Sequence, residues 1–220
     1  MMAKRSLLRR AYDATYGRLF AACYDPVLSH SEEGELGEHR DEVIARAAGR
    51  VLEIGAGTGL NLAHYRDGVT ELVLSEPFDP MAAKLRAKLT ADGHGARVVD
   101  AAAEQLPFEA DSFDVVVSTL VLCTVDDQEA ALNEVARVLR PGGRLLFIEH
   151  VRASEERLAR WQDRLHGPWF AFGHGCHCNR DTEAAIERSP LGIESIERRQ
   201  MTAVPPLVRP MIMGSALLHG

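Results

Sequence analysis

The chain has 220 residues, 46% of them hydrophobic, a formal charge of −7 and four cysteines. That length and apolar content suffice for one domain with a sizeable core, and the acidic balance argues against a nucleic-acid backbone as the main partner. No apolar run reaches the length of a membrane span, the basic start leads into no signal-peptide hydrophobic region, and the cysteines are too scattered for a disulfide scaffold, so a reducing cytoplasmic compartment is expected.

Residues 1–49 read as helical. Leu7, Leu8, Ala11, Thr15, Leu19 and Phe20 fall near one face, with Arg9, Arg10 and Arg18 among the polar positions. Packing of this face on the domain is expected, while its basic amphipathic character leaves peripheral contact with a membrane surface open. Tyr24-Asp25-Pro26 is expected to break the helix, and a second helix over Glu38–Ala48 is expected to end at Gly49. Val51-Leu52-Glu53-Ile54 then reads as a strand that carries one acid and runs into glycines at 55, 57 and 59. Open α/β sheets hold nucleotide-like ligands at such strand-to-loop junctions. The dinucleotide fingerprint places its third glycine one position later, where Leu60 stands, so the spacing points to a different cofactor. A nicotinamide-dependent oxidoreductase and a cofactor-binding module without catalysis are the readings from other classes.

Leu72–Ser75 reads as a second buried strand, and Asp79-Pro80 as the start of a helix, with Asp79 placed to cap it and Gly93 to stop it. Ala96–Val99 and Phe113–Ser118 follow as strands; three consecutive valines in the latter suit a strand covered on both faces. Leu132, Val135, Val138 and Leu139 form a helix face that Pro141-Gly142-Gly143 ends, and Leu145–Ile148 is a fifth strand. Residues 154–166 are expected to be helical, Gly167–Asn179 a loop and Thr182–Ser189 a short helix. Ile193–Arg198 and Ile212–Leu217 are most simply paired as antiparallel strands at the sheet edge. The expected fold is therefore α/β, a Rossmann-like doubly wound and mostly parallel sheet. One domain spans 1–220, divided into helices over 1–49, a cofactor-binding core over 50–151 and substrate-side loops and edge strands over 152–220.

Glu76, at the end of the second strand, is placed beside the glycine loop, where a carboxylate accepts both hydroxyls of a ribose. Glu53 lies just below the glycines, where it is suited to the amino group of a bound amino-acid moiety. His150, at the end of the fifth strand, is the candidate general base, with orientation of a loop as its equal alternative. His174-Gly175-Cys176-His177-Cys178 contains zinc-type ligands, but its C-x-C spacing departs from the usual C-x₂₋₄-C, and no second cluster completes it. No metal is expected there; a substrate-pocket loop is. Cys123 is expected to pack rather than react, and Trp161, Trp169, Phe170 and Phe172 are candidates either for an apolar pocket wall or for ordinary core.

Glu53-Ile-Gly55-Ala56-Gly57-Thr-Gly59, then Glu76, then Ala103-Glu104-Gln105-Leu106-Pro107-Phe108 with Ser112-Phe113-Asp114, and finally Val138-Leu139-Arg140-Pro141-Gly142-Gly143, resemble the class I S-adenosylmethionine-dependent methyltransferases. The resemblance covers about residues 49–150 and implies a seven-stranded sheet with a reversed last strand. It implies that Gly55, Gly57 and Gly59, with Ala56 between them, hold the methionine portion of S-adenosyl-L-methionine and Glu76 its ribose. Ala103 and Glu104 would border the adenine, and Thr119 and Leu120 would close the site. Ala102 stands where an acid is usual, with Asp100 as the candidate substitute. Ser118 to Val125, Glu149-His150-Val151, Gly175-Cys176 with Arg180, and Val208-Arg209-Pro210 are similar to the methyltransferase-like group that includes thiol S-methyltransferases. That group carries a hydrophobic amino-terminal anchor, which this sequence does not show, and an acid at the position of His174.

The implied activity is transfer of a methyl group to a small apolar acceptor, with a thiol favoured and O- or N-methylation of a quinone, lipid or secondary metabolite as the alternative. Transfer from a sulfonium asks mainly for alignment and exclusion of water. A thiol of ordinary pKa, about 8.5, is already a few per cent thiolate at neutral pH, so no catalytic triad is required.

Overall fold

Strand β1 (Gly49–Ile54) lies inside a seven-stranded sheet of order β3-β2-β1-β4-β5-β7-β6. The computed structural model describes residues 13–32 and 34–219. Helix α1 (Arg18–Glu32), entered through a π-helical turn at Asp13–Gly17, and α2 (Glu35–Ile44) precede β1. Then come β2 (Val69–Ser75), α3 (Asp79–Asp92), β3 (Arg97–Val99), β4 (Phe113–Thr119), α4 (Gln128–Val138) and β5 (Leu139–His150). Helices α5 (Glu156–Phe172) and α6 (Thr182–Arg188) lead to β6 (Leu191–Gln200) and β7 (Pro210–Leu218). Strands β1 to β5 pair in parallel; β7 runs antiparallel to both β5 and β6, so the late pair sits at the edge as expected.

The strands alternate their side chains between two cores. Leu52, Ile54, Val73, Val116, Leu145 and Phe147 face one side, packed with Leu132 and Val135 of α4. Val51, Leu74, Val115, Val117, Leu146 and Ile148 face the other, packed with Leu36 and Ile44 of α2 and Leu85 and Leu89 of α3. Both faces are dry, which is why these strands read as unbroken apolar runs instead of alternating ones. The strand order reverses at β1, with β2 on one side and β4 on the other, and the crevice at the carboxyl ends of such a pair is where open α/β sheets bind ligands.

Several local expectations are corrected. Pro26 does not break α1: the helix runs on to Glu32. Proline lacks the amide that would bond the carbonyl four residues back, and here Lys84 Nζ donates to that Ala22 carbonyl at 3.3 Å instead. Leu7, Leu8 and Ala11 lie outside the described residues, and Leu19 is exposed rather than packed. Helix α2 ends at Ile44, before Gly49, which opens β1 at φ 75° against the Asp114 carboxylate. Asp79 does not cap α3; Phe78 holds that position, and its amide donates to Glu76 Oε1 at 2.7 Å. Strand β5 begins at Leu139, its register with β4 jumping from Phe113↔Leu139 to Val115↔Arg144, so Arg140–Gly143 bulges out of the ladder. Helix α5 continues through Gly167-Pro168 to Phe172, and the loop begins only at Gly173.

Candidate active site

The turn after β1 holds its three glycines at φ 57°, 58° and 84°, a region that side chains resist. At Gly55 a Cβ would also sit 2.6 Å from Val121, so this glycine lets the loop after β4 close against the end of β1. The Glu53 side chain is buried below the turn. Its carboxylate accepts hydrogen bonds from Asn61 Nδ2 at 2.8 Å and from the Tyr65 hydroxyl at 2.7 Å. Asn61 Oδ1 accepts from the Arg40 guanidinium, and Asn61 Nδ2 reaches Thr119 Oγ1 at 3.1 Å. Burial outweighs these donors and pushes the Glu53 pKa up to about 7.

Glu53, Gly55, Ala56, Gly57, Asn61 and Thr119 line one cleft, with Tyr24 and Arg40 at its sides. Glu76 ends next to it: Oε2 accepts from the Gly57 amide at 2.8 Å while Oε1 holds Phe78. Gly59 completes the turn, its carbonyl accepting from Lys88 Nζ at 2.9 Å. An acid at each end of a glycine cradle suits a ligand with an ammonium at one end and ribose hydroxyls at the other, so the residues fit S-adenosylmethionine.

Ala103, Glu104, Leu120 and His150 are not among the residues that line this cleft. Ala103 packs into the core with Leu106. Glu104 accepts from the amides of Asp126 at 2.8 Å and Asp127 at 3.3 Å, fixing the entry to α4. Leu120 turns the chain at φ 59°, its amide bonded to the Ile148 carbonyl. The Nδ1 of His150 lies 3.8 Å from Cys176 Sγ. A hydrogen bond with the Cys123 thiol, helped by His150, pulls Cys176 below the ordinary thiol range, and the same contact with burial pushes Cys123 up.

Sequence reasoning quoted Glu149 and Arg180 only as parts of motifs and missed what their side chains hold, and it missed Gln162 and Arg152 altogether. Glu149, fully buried in β5, accepts from Ser118 Oγ at 2.6 Å and from the amides of Val121, Leu122 and Cys123 at 3.0–3.2 Å, winding the post-β4 loop around one carboxylate. Its signal was the one Glu53 carries, an acid inside an apolar strand, which must be satisfied by hydrogen bonds. Gln162 of α5 donates to the carbonyls of Val151, Cys178 and Leu207 and accepts from the Ala153 amide, joining three segments. Arg180 donates to the carbonyls of Leu122 and Val125, and Arg152 grips Asp163 through two bonds. Trp169 packs beside Cys176 and Phe170 against His177, whereas Phe172 is exposed and Trp161, also exposed, lines a surface groove with Arg157, Arg160 and Arg164. Helix α1 touches both the glycine turn and His174. Thr58 donates to Asp25 at 2.5 Å on the glycine turn, and Phe20 stacks on His174 with ring centres 4.9 Å apart.

Residues 52–147 match the Methyltransferase domain family. The chain is similar to human thiol S-methyltransferase TMT1A, 39% identical over 172 residues that cover 76% of this chain and 70% of that protein. It is also similar to the ubiquinone/menaquinone biosynthesis C-methyltransferase UbiE of Vibrio parahaemolyticus, 38% identical over 124 residues, 54% of this chain and 48% of that one. Among solved structures, a SAM-dependent methyltransferase from Thermotoga maritima superimposes with a TM-score of 0.67 at 22% identity, over 91% of this chain and 97% of its own.

Proposed function

We infer that a small thiol is the methyl acceptor of this chain, which belongs to the S-adenosylmethionine-dependent methyltransferase family that includes the thiol S-methyltransferases. Membership sets aside the nicotinamide-dependent and non-catalytic readings. The observation that carries the thiol is the similarity to the human thiol S-methyltransferase, which extends well beyond the cofactor-binding core. Among the described residues no helix is long and apolar enough to cross a membrane.

S-adenosylmethionine, when bound, supplies a methyl group on a positively charged sulfur. In our reading Glu53 holds its ammonium, the turn from Gly55 to Gly59 lies along its methionine portion and Glu76 takes the ribose hydroxyls. Thr119 and Leu120 close the acceptor side of the cleft, and Ala103 and Glu104 border the base. Helix α1, pinned through Asp25 to Thr58, keeps water from the cleft. No buried Ser-His-Asp or similar array is needed, because a thiol of ordinary pKa, about 8.5, gives up its proton readily near neutral pH.

The deciding assay offers purified protein and S-adenosylmethionine to panels of alkyl and aryl thiols, phenols, amines and quinols, and follows S-adenosylhomocysteine by mass spectrometry. Turnover of thiols above the other classes is expected. Turnover of quinols or phenols alone would replace the thiol by the alternative acceptor.

A further inference from the structure

Cys123, His150 and Cys176 come from three different places in the chain, yet their sulfur and nitrogen atoms all lie within 4.8 Å of one another. We propose that these three side chains form a zinc site of the Cys₂His type, with the fourth position left for the sulfur of the substrate. The proposal rests on the thiol reading above and deepens it.

The geometry fits the ion. Zinc bonds of about 2.3 Å to sulfur and about 2.0–2.1 Å to nitrogen put tetrahedral ligand atoms roughly 3.5–3.8 Å apart. Cys176 Sγ and His150 Nδ1 are 3.8 Å apart. The ligands are also held from behind. Glu149 fixes the Cys123 amide, and the His177 amide donates to the Cys123 carbonyl at 2.8 Å, tying the two cysteine segments together. Such supporting bonds orient metal ligands. Cys178 takes no part; its thiol lies toward the Gln162 carbonyl at 4.0 Å. The local Cys-x-Cys pair is therefore the wrong unit, and the ligand set forms only when the sheet brings β4 and β5 together.

Charge favours the same reading. Cys123 and Cys176 sit in an apolar cluster with Trp169, Val204, Leu207 and Val208. Two thiolates, one neutral imidazole and one zinc ion sum to zero before substrate binds, which suits a surrounding where an isolated charge is costly; a bound thiolate brings the sum to −1, and methyl transfer from the sulfonium removes that charge. Three protein ligands with an open position are the pattern of reactive zinc, whereas structural zinc takes four.

The site is also placed where an acceptor belongs. Cys123 follows β4 and His150 ends β5, on the same edge of the sheet as the glycine turn that follows β1. One strand separates β5 from β1, so the two sites lie roughly 10 Å apart across the sheet. A thiol that binds zinc loses its proton to solvent, since a coordinating thiol is deprotonated outright. Its sulfur lone pair then forms the new S–CH₃ bond as the sulfonium S–CH₃ bond breaks. The products are a thioether and S-adenosylhomocysteine, and the neutral thioether leaves the metal as a weak ligand.

The test uses wild-type protein purified without chelators, with its metal content read by mass spectrometry. About one zinc per chain is expected. After chelation, cobalt(II) added in its place should give sulfur-to-cobalt charge-transfer absorption with tetrahedral d–d bands, and 2-mercaptoethanol or thiophenol should shift those bands. Cys123→Ser and Cys176→Ala should lose the metal, while Cys178→Ser keeps it. Wild-type protein that binds neither zinc nor cobalt yet methylates thiols would overturn the metal site and leave the acceptor reading intact. A cobalt spectrum that ignores thiols, in a protein that turns over only phenols or quinols, would overturn the acceptor reading, and with it the role of the open position. Loss of metal in Cys178→Ser equal to that in Cys176→Ala would overturn the ligand set.

Discussion

The carboxyl group of Glu53 sits near the balance point between its two protonation states, because burial pushes its pKa up to about 7. The folded protein keeps this proton in a range where the unfolded chain has lost it. The stability contributed by the protonated acid is therefore present below the ordinary carboxyl range and is lost as the pH rises to about 7. An ammonium placed beside Glu53 favours the charged form instead. Affinity for S-adenosylmethionine should then rise with pH, by at most about tenfold per unit, and level off above about pH 7. Titration calorimetry across that range checks this, and a flat wild-type profile would remove Glu53 from the ammonium site. Glu76→Ala should weaken cofactor binding roughly 10- to 100-fold, the worth of charged hydrogen bonds to two hydroxyls, with the fold retained by circular dichroism. Wild-type affinity in that variant would refute the ribose role.

The strands were legible because each stretch such as Val115-Val116-Val117 has both faces buried, and burial of that kind leaves a plain apolar signature. Helix ends were less so. Pro26 and Pro168 both stand inside helices, since the cost of a missing amide depends on what else can reach the freed carbonyl, and a sequence does not show that Lys84 reaches Ala22. Lys84→Met removes that bond together with the Lys84–Asp25 ion pair. Amide exchange across α1 should then speed up roughly two- to fivefold while the global unfolding midpoint stays nearly fixed. Unchanged exchange would mean that Pro26 is tolerated for another reason.

Across the whole molecule, the residues proposed to hold the cofactor could be picked out together because they are local: one strand, its turn and the next strand's end supply Glu53, the glycines and Glu76. The cluster around Gln162, Cys123 and Cys176 could not, because its members converge from distant segments. Nothing near Gln162 in sequence announces that it will join Val151, Cys178 and Leu207, and nothing near Cys123 announces Cys176. Gln162→Ala leaves three carbonyls and one amide without that partner and should cost about 3 kcal/mol or more in urea unfolding. A loss below about 1 kcal/mol would show that the three segments hold together without it.

Strand β7 comes after β6 in sequence but lies between β5 and β6 in the sheet. During synthesis, the outer edge of β5 therefore stays open until residues 210–218 have cleared the ribosome, and β6 has no strand to join before then. The strand that enters is tightly fitted, since a Cβ on Gly214 would lie 2.0 Å from the Ser195 carbonyl oxygen. Strands β1 to β5 can pair early while the β6–β7 edge waits. Translation-arrested chains that stop short of Pro210 should be cut by protease within β6, and release of the full segment should protect them. A nascent chain carrying an open β5 edge is also the form of this protein most exposed to pairing with a neighbour.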